Sequence, residues 1–255
     1  MKIGFCAKID RIEEVTAAGY DYIELPVSGA AAWTEAEFRQ NLALLEASGI
    51  PAPSYNVLFP GEIKLLNPAT KDEEITAYLH HAFARVREMG GKTVVFGSGG
   101  SRKRPEDMPY DEAFRRLIEV TRLIGETATQ YGVTIVIEPL NRRETNMINS
   151  VGEGACLRAA VNLPNVQLLA DYYHVAAEGH DPADLSRVGG IAHCHIATET
   201  GREAPITAEK GFSKLFSAMK QTGYQGMISV EGKCDDLRKD GPATVALLKK
   251  LWEEA

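Results

Sequence analysis

Eight short apolar runs, each followed by a stretch of helical periodicity, recur along this chain, and no other feature narrows its fold as far. The runs are Lys2–Cys6, Tyr22–Pro26, Pro53–Leu58, Thr93–Phe96, Val133–Ile137, Val166–Ala170, Ile191–Ile196 and Gly226–Val230. The intervening pattern predicts helices over Arg11–Ala18, Thr34–Ser48, Ile75–Met89, Tyr110–Tyr131, Val151–Asn162, Pro182–Val188, Phe212–Thr222 and Pro242–Glu254. Their ends carry the expected punctuation. Thr34 with Glu37 three residues on makes a capping box, and Gly19, Gly90, Gly132 and Gly223 stand just past predicted helix ends.

The strand runs are mostly continuous rather than alternating polar and apolar. That is the pattern of strands covered on both faces, and hence of a parallel sheet. Eight βα units in 255 residues predict an α/β fold, a closed (β/α)8 barrel forming a single domain over residues 1–255. The rival is an open doubly wound sheet. Its glycine-rich dinucleotide turn is missing after the first strand, where Cys6-Ala7-Lys8-Ile9-Asp10 stands instead. The longest irregular stretch, Phe59–Lys71, is expected to be a functional or covering loop.

Composition excludes some function classes. With 44% apolar residues the chain can bury a sizeable core. Its 28 basic and 35 acidic side chains leave a net charge of −7, which disfavours broad contact with nucleic acid or an anionic membrane. Cys6, Cys156, Cys194 and Cys234 lie far apart without a C-x-x-C pair, as expected of free thiols in a reduced compartment. The first residues are too short an apolar run for a secretory signal. No run approaches the roughly 18–20 residues of a membrane helix. The cytoplasm is the expected location.

In a barrel of this kind, active sites are built at the C-terminal ends of the strands. Four polar residues follow apolar runs there: Glu138 in Val-Ile-Glu-Pro, Asp171 in Leu-Ala-Asp-Tyr-Tyr-His, His195 in His-Cys-His-Ile and Glu231 in Ser-Val-Glu-Gly. Asp171 lies 33 residues after Glu138, His195 24 after Asp171, and Glu231 36 after His195; each step is close to one βα unit. Any one of them alone is read most simply as the point where a loop meets water. Four at equivalent positions of successive units predict a cluster at the barrel mouth. Three carboxylates and one imidazole suit Mn²⁺, Mg²⁺ or Co²⁺, with Zn²⁺ also accommodated. His193 reads as a satisfied core histidine; His80 and His81 lie mid-helix and His180 in a loop, and none of the three is read as functional.

On these motifs the chain resembles the xylose isomerase-like TIM-barrel superfamily of sugar isomerases and epimerases, and within it the ketose 3-epimerases of the D-tagatose and D-psicose type. The resemblance spans the chain and is strongest from Val133 to Gly232. It implies one divalent metal ion, Mn²⁺ first, held by Glu138, Asp171, His195 and Glu231. It implies that Glu138 and Glu231 act as catalytic acid and base on opposite faces of the sugar, through an enediolate, and invert C3. It also implies substrate binding by Glu144, in Glu-Pro-Leu-Asn-Arg-Arg-Glu, by His174, and by Arg202. Arg202 falls in a segment, His195-Ile-Ala-Thr-Glu-Thr-Gly-Arg202, one residue longer than the family pattern. Glu144 is expected to bind a sugar hydroxyl or to orient His174. A homodimer or tetramer is implied on the same ground.

Two further features stand beside these. Gly97-Ser98-Gly99-Gly100-Ser101-Arg102-Lys103-Arg104 puts glycines ahead of three cations, a pattern able to cradle a phosphate; with Glu106 and Asp107 close behind, a flexible solvated loop is the expected reading. Glu24 and Asn56, polar within the second and third strands, either touch the sugar or sit hydrogen-bonded in the barrel wall. Inosose-type dehydratases, hydroxypyruvate isomerases, aldose–ketose isomerases and phosphosugar epimerases have similar barrel-mouth sites and stand as alternatives. An abasic-site endonuclease shares the barrel, but the net charge of −7 and the shortage of further histidines count against it. A non-catalytic sugar-binding barrel is the remaining alternative.

Overall fold

The computed structural model describes all 255 residues. Its strands are β1 (Lys2–Cys6), β2 (Tyr22–Pro26), β3 (Ser54–Asn56), β4 (Thr93–Phe96), β5 (Thr134–Ile137), β6 (Val166–Asp171), β7 (His193–Ile196) and β8 (Met227–Val230). All eight pair in parallel with their sequence neighbours. β8 returns to β1 through Lys2↔Met227 to Phe5↔Val230. That last pairing closes the sheet and disposes of the open doubly wound alternative. The fold is a (β/α)8 barrel, as the spacing predicts.

Nine α-helices surround it: α1 (Ile12–Ala17), α2 (Val27–Ala32), α3 (Glu35–Ser48), α4 (Asp72–Glu88), α5 (Tyr110–Thr129), α6 (Val151–Val161), α7 (Tyr172–Ala177), α8 (Lys210–Gln221) and α9 (Leu237–Glu254). The capping box at Thr34 forms, with Glu37 N–H donating to the Thr34 hydroxyl and the Glu37 carboxylate accepting from Thr34 N–H. Three differences from the sequence pattern have local causes. Six-residue helices α2 and α7 follow β2 and β6 directly; the first has few polar residues to mark its start, and the second is capped by Asp171 itself, which accepts from Tyr173 N–H at 2.9 Å. Pro182–Arg187 coils as a 3-10 helix rather than an α-helix. α9 begins five residues before Pro242, because Asp236 caps it by accepting from Lys239 N–H, so the proline lies inside the helix. No helix is long and apolar enough to cross a membrane.

The strand period of two divides the barrel cleanly. Outward residues such as Ile3, Ile23, Val94, Ile135, Leu168, Cys194 and Ile228 join the helices in one continuous core. The inward layer is split. Val95, Val136 and Leu169, from β4, β5 and β6, form a small separate apolar cluster. Across the barrel, Tyr22, Glu24, Ser54, His193, His195 and Ser229 are polar and almost wholly buried. Gly4 permits this: a Cβ there would fall 2.2 Å from the Tyr22 ring. The polar half-layer lies directly under the mouth formed by the strand ends.

Candidate active site at the barrel mouth

The four residues that follow apolar runs in the second half of the chain meet at this mouth. Glu138 and Glu231 stand one residue past β5 and β8, and each extends the ladder, Glu138 N–H to Phe96 O at 3.2 Å and Glu231 N–H to Ile196 O at 3.1 Å. Asp171 and His195 are paired in register across β6 and β7. One ligand atom from each of the four can be chosen so that all lie within 4.8 Å of one another. His195 Nδ1 is 3.3 Å from both Glu138 Oε1 and Glu231 Oε2.

Crowding three carboxylates in a poorly hydrated mouth is electrostatically costly. Burial, with Glu138 and Glu231 adding to it, pushes Asp171 up to about 7. Burial likewise raises Glu138. For Glu231 burial acts upward, but His195 and Arg202 outweigh it and hold the carboxyl down to about 2. Glu138 Oε1 and His195 Nδ1 are buried and make no hydrogen bond. Unpartnered polar atoms facing one another, in a cluster of three carboxylates that cannot comfortably ionise by itself, are a donor set that fits a divalent cation.

The residues expected to touch substrate gather around this cluster. The Arg202 guanidinium lies 2.6 Å from Glu231 Oε2, 3.5 Å from Asp171 Oδ2 and 3.3 Å from Glu144 Oε1, above the Tyr173 ring. Arg202 has φ +53, a left-handed conformation unfavourable for a side chain of this type. Two loops hold it there: Lys233 N–H donates to Arg202 O, and Ala204 N–H to Lys233 O, each at 2.8 Å. The extra residue in its segment therefore does not carry Arg202 away from the mouth.

His174 is buried, and burial followed by Arg202 pushes it down to about 3. Its Nδ1 accepts from Asn141, from the side-chain amide at 2.8 Å and the backbone N–H at 3.2 Å. A neutral ring accepting there carries its proton on Nε2. That Nε2 is buried and makes no hydrogen bond, with Asp171 Oδ2 3.5 Å away. Glu144 does not touch His174 directly; its carboxylate accepts from Arg202 and from the Asn141 side-chain amide that also donates to His174, so Asn141 is the residue in contact with the ring.

Glu24 does not reach the mouth. It is fully buried, with Oε2 2.8 Å from His193 Nε2 and Oε1 2.8 Å from His195 Nε2. His193 is thus a satisfied interior histidine. Asn56 does reach the site and donates to Glu231 Oε1 at 3.0 Å. Cys6, Glu24 and His195 also lie within reach of one another, but the Glu24 oxygens and His195 Nε2 are already engaged with each other and with His193 and Ser229. The glycine-rich loop is not solvated throughout, and its Arg102 is unavailable to a phosphate: it is fully buried and donates to Phe96 O at 2.9 Å and Glu138 O at 2.5 Å. A buried arginine in a loop of glycines and cations has no local sequence signal, because its partners are backbone carbonyls.

Comparison with known proteins agrees with this architecture. The sequence pattern of the family described as xylose isomerase-like TIM barrel matches residues 12–252. The chain is 29% identical over 178 residues to the 3-dehydro-D-guloside 4-epimerase of Escherichia coli (strain K12), covering 65% of this chain and 64% of that protein, a little under two thirds of its length. It is 26% identical over 228 residues to the D-psicose 3-epimerase of Agrobacterium fabrum, covering 86% of this chain and 77% of the relative. A crystal structure of a D-psicose 3-epimerase in the presence of D-fructose superposes with a TM-score of 0.87 at 20% identity over 99% of both chains, a likeness of fold.

Proposed function

The chain belongs to the xylose isomerase-like TIM-barrel family, and from that premise we propose that it is a divalent-cation-dependent sugar isomerase/epimerase, working as a ketose 3-epimerase. The observation that carries the reading is the convergence of Glu138, Asp171, His195 and Glu231, one from each of four successive βα units, within 4.8 Å. These four would hold the ion, Mn²⁺ in the first instance, with Mg²⁺, Co²⁺ or Zn²⁺ also fitting the donor set. A bound divalent ion would supply Lewis-acid polarisation of a carbonyl and a neighbouring hydroxyl.

The protein's own residues supply the proton chemistry. One of Glu138 and Glu231 takes the C3 proton, and the C–H electron pair moves toward the C2 carbonyl to give a cis-enediolate. The other glutamate, protonated, returns a proton to the opposite face of C3 while the carbonyl re-forms, so C3 inverts. Because the reaction is reversible, the two exchange roles with direction. The unpartnered His174 Nε2–H donates to the developing oxyanion, Arg202 adds positive charge beside it, and Glu144 accepts from a sugar hydroxyl.

The name of the Escherichia coli relative, a 4-epimerase, favours one second reading, in which the same proton chemistry acts one carbon along. Turnover of a panel of ketoses, keto-glycosides and their phosphates in D₂O with added cation, followed by NMR, separates the readings. Deuterium at C3 without movement of the carbonyl supports the 3-epimerase. Deuterium at C4 favours the second reading, movement of the carbonyl an aldose–ketose isomerase, and loss of water a dehydratase. Binding without turnover or exchange overturns the enzymatic reading.

A further inference from the structure

His195 can serve the mouth cluster only through Nδ1, the ring atom that faces Glu138 and Glu231. A histidine ligand needs its other nitrogen held by an acceptor, which fixes both the tautomer and the ring plane. Here that acceptor is Glu24, on β2, three strands around the barrel from β7, with Oε1 2.8 Å from His195 Nε2. Glu24 is itself held on its other oxygen. Ser229 donates to Oε2 at 2.5 Å, His193 Nε2 lies 2.8 Å from the same atom, and the Ser229 hydroxyl is 2.7 Å from Tyr22 OH. Ser54 Oγ stands 3.2 Å from His193 Nε2. Every one of these side chains is 1% exposed or less.

A carboxylate buried this completely at the centre of a barrel costs stability unless every lone pair it presents is matched. The matching groups come from β2, β3, β7 and β8, on one side of the interior only, while the other side is filled by Val95, Val136 and Leu169. A polar half-layer confined to the side beneath His195 is more than a way of filling the barrel. We infer that Glu24 is a positioning residue for cation binding: with His193, Ser229 and Tyr22 bracing it, it holds the His195 ring with the proton on Nε2 and the Nδ1 lone pair turned to the mouth. The alternative tautomer would set a bare Nε2 against the Glu24 carboxylate and leave Nδ1 with a proton in place of the lone pair a cation needs. This inference rests on the reading of the mouth cluster as a cation site.

The test titrates MnCl₂ calorimetrically into the full-length wild type and into Glu24→Gln, both freed of cations by chelation. Removing such an outer partner weakens metal binding roughly 10–100-fold, and that loss is expected for Glu24→Gln with a thermal midpoint, measured in chelator, close to wild type. Equal affinity in a folded variant overturns the inference and leaves the cation site standing. A wild type that takes up no Mn²⁺ overturns the site itself and the inference with it. Should Glu24→Gln not fold, two measurements decide. Ser229→Ala removes one brace from Glu24 and is expected to bind Mn²⁺ several-fold more weakly. Long-range ¹H–¹⁵N spectra of the ZnCl₂-loaded wild type are expected to place the His195 proton on Nε2. Unchanged affinity in Ser229→Ala, or a proton on Nδ1, contradicts the proposal.

Discussion

Gly97 and Glu138 share one space: a Cβ built on Gly97 would stand 2.1 Å from Glu138 Oε2. The glycine at the end of β4 is what lets the neighbouring strand's carboxylate lie across the mouth. The clashing atom is the far end of a flexible side chain, so Gly97→Ala should shift Glu138 rather than unfold the barrel. Misplacement of a reacting group by about 1 Å costs on the order of 10²-fold in rate. Gly97→Ala is therefore expected to lose about two orders of magnitude in turnover with a thermal midpoint within a few degrees of wild type. Full activity would show that the Glu138 carboxylate does not need its observed place.

Asn56 donates to Glu231 Oε1 at 3.0 Å, while Arg202 holds Oε2. A hydrogen bond to a charged group is worth about 1.5–3 kcal/mol. Asn56→Ala should lower kcat roughly ten-fold or more and leave the folded state intact by circular dichroism. A change confined to KM would mean that Asn56 serves substrate binding instead.

Arg102 is the largest fully buried side chain and donates to Phe96 O and Glu138 O, the carbonyls that flank the mouth. Leaving a buried acceptor unpaired costs about 1–3 kcal/mol. Arg102→Met should lower the free energy of unfolding by about 3 kcal/mol in urea titration. It should not change the response of activity to added phosphate. A phosphate-specific loss with stability unchanged would restore the cradle reading of this loop.

His174 is pushed down to about 3, chiefly by burial and next by Arg202. A histidine whose folded-state value lies below its unfolded value of about 6.5 stabilises the fold fully above that pH. The contribution is lost as pH falls from about 6.5 toward 3, because the unfolded chain takes up a proton that the folded one refuses. The His174 ring resonances are expected to stay flat from pH 8 to 5 by NMR. An inflection near 6.5 would contradict a neutral Nε2–H donor at the mouth.

The barrel and the mouth quartet were legible because both depend on local pattern. Apolar runs mark strands, and a polar residue at or near the C-terminal end of a run marks the barrel mouth whatever the neighbours are. The helices α2 and α7 were not legible; each has six residues and follows its strand directly, with no turn residue to mark a break. The start of α9 was hidden because Pro242 reads as a helix beginning, whereas the cap at Asp236 sets it. The contacts that complete the site are long-range. Glu24 meets His195 across 171 residues and Asn56 meets Glu231 across 175, and no spacing rule links them until the barrel closes. Asn141 differs: it lies within the Glu-Pro-Leu-Asn-Arg stretch already singled out, and its side-chain partner His174 is one βα unit on.

The two-glutamate account is tested most directly by solvent deuterium uptake at C3 of a turned-over ketose, measured at saturating cation for wild type, Glu138→Gln and Glu231→Gln. Loss of a general acid or base typically costs about 10²–10⁴-fold. Wild type is expected to incorporate deuterium at C3, and each variant to lose both turnover and uptake by about that factor. Full activity with unchanged deuterium uptake in either variant would contradict it.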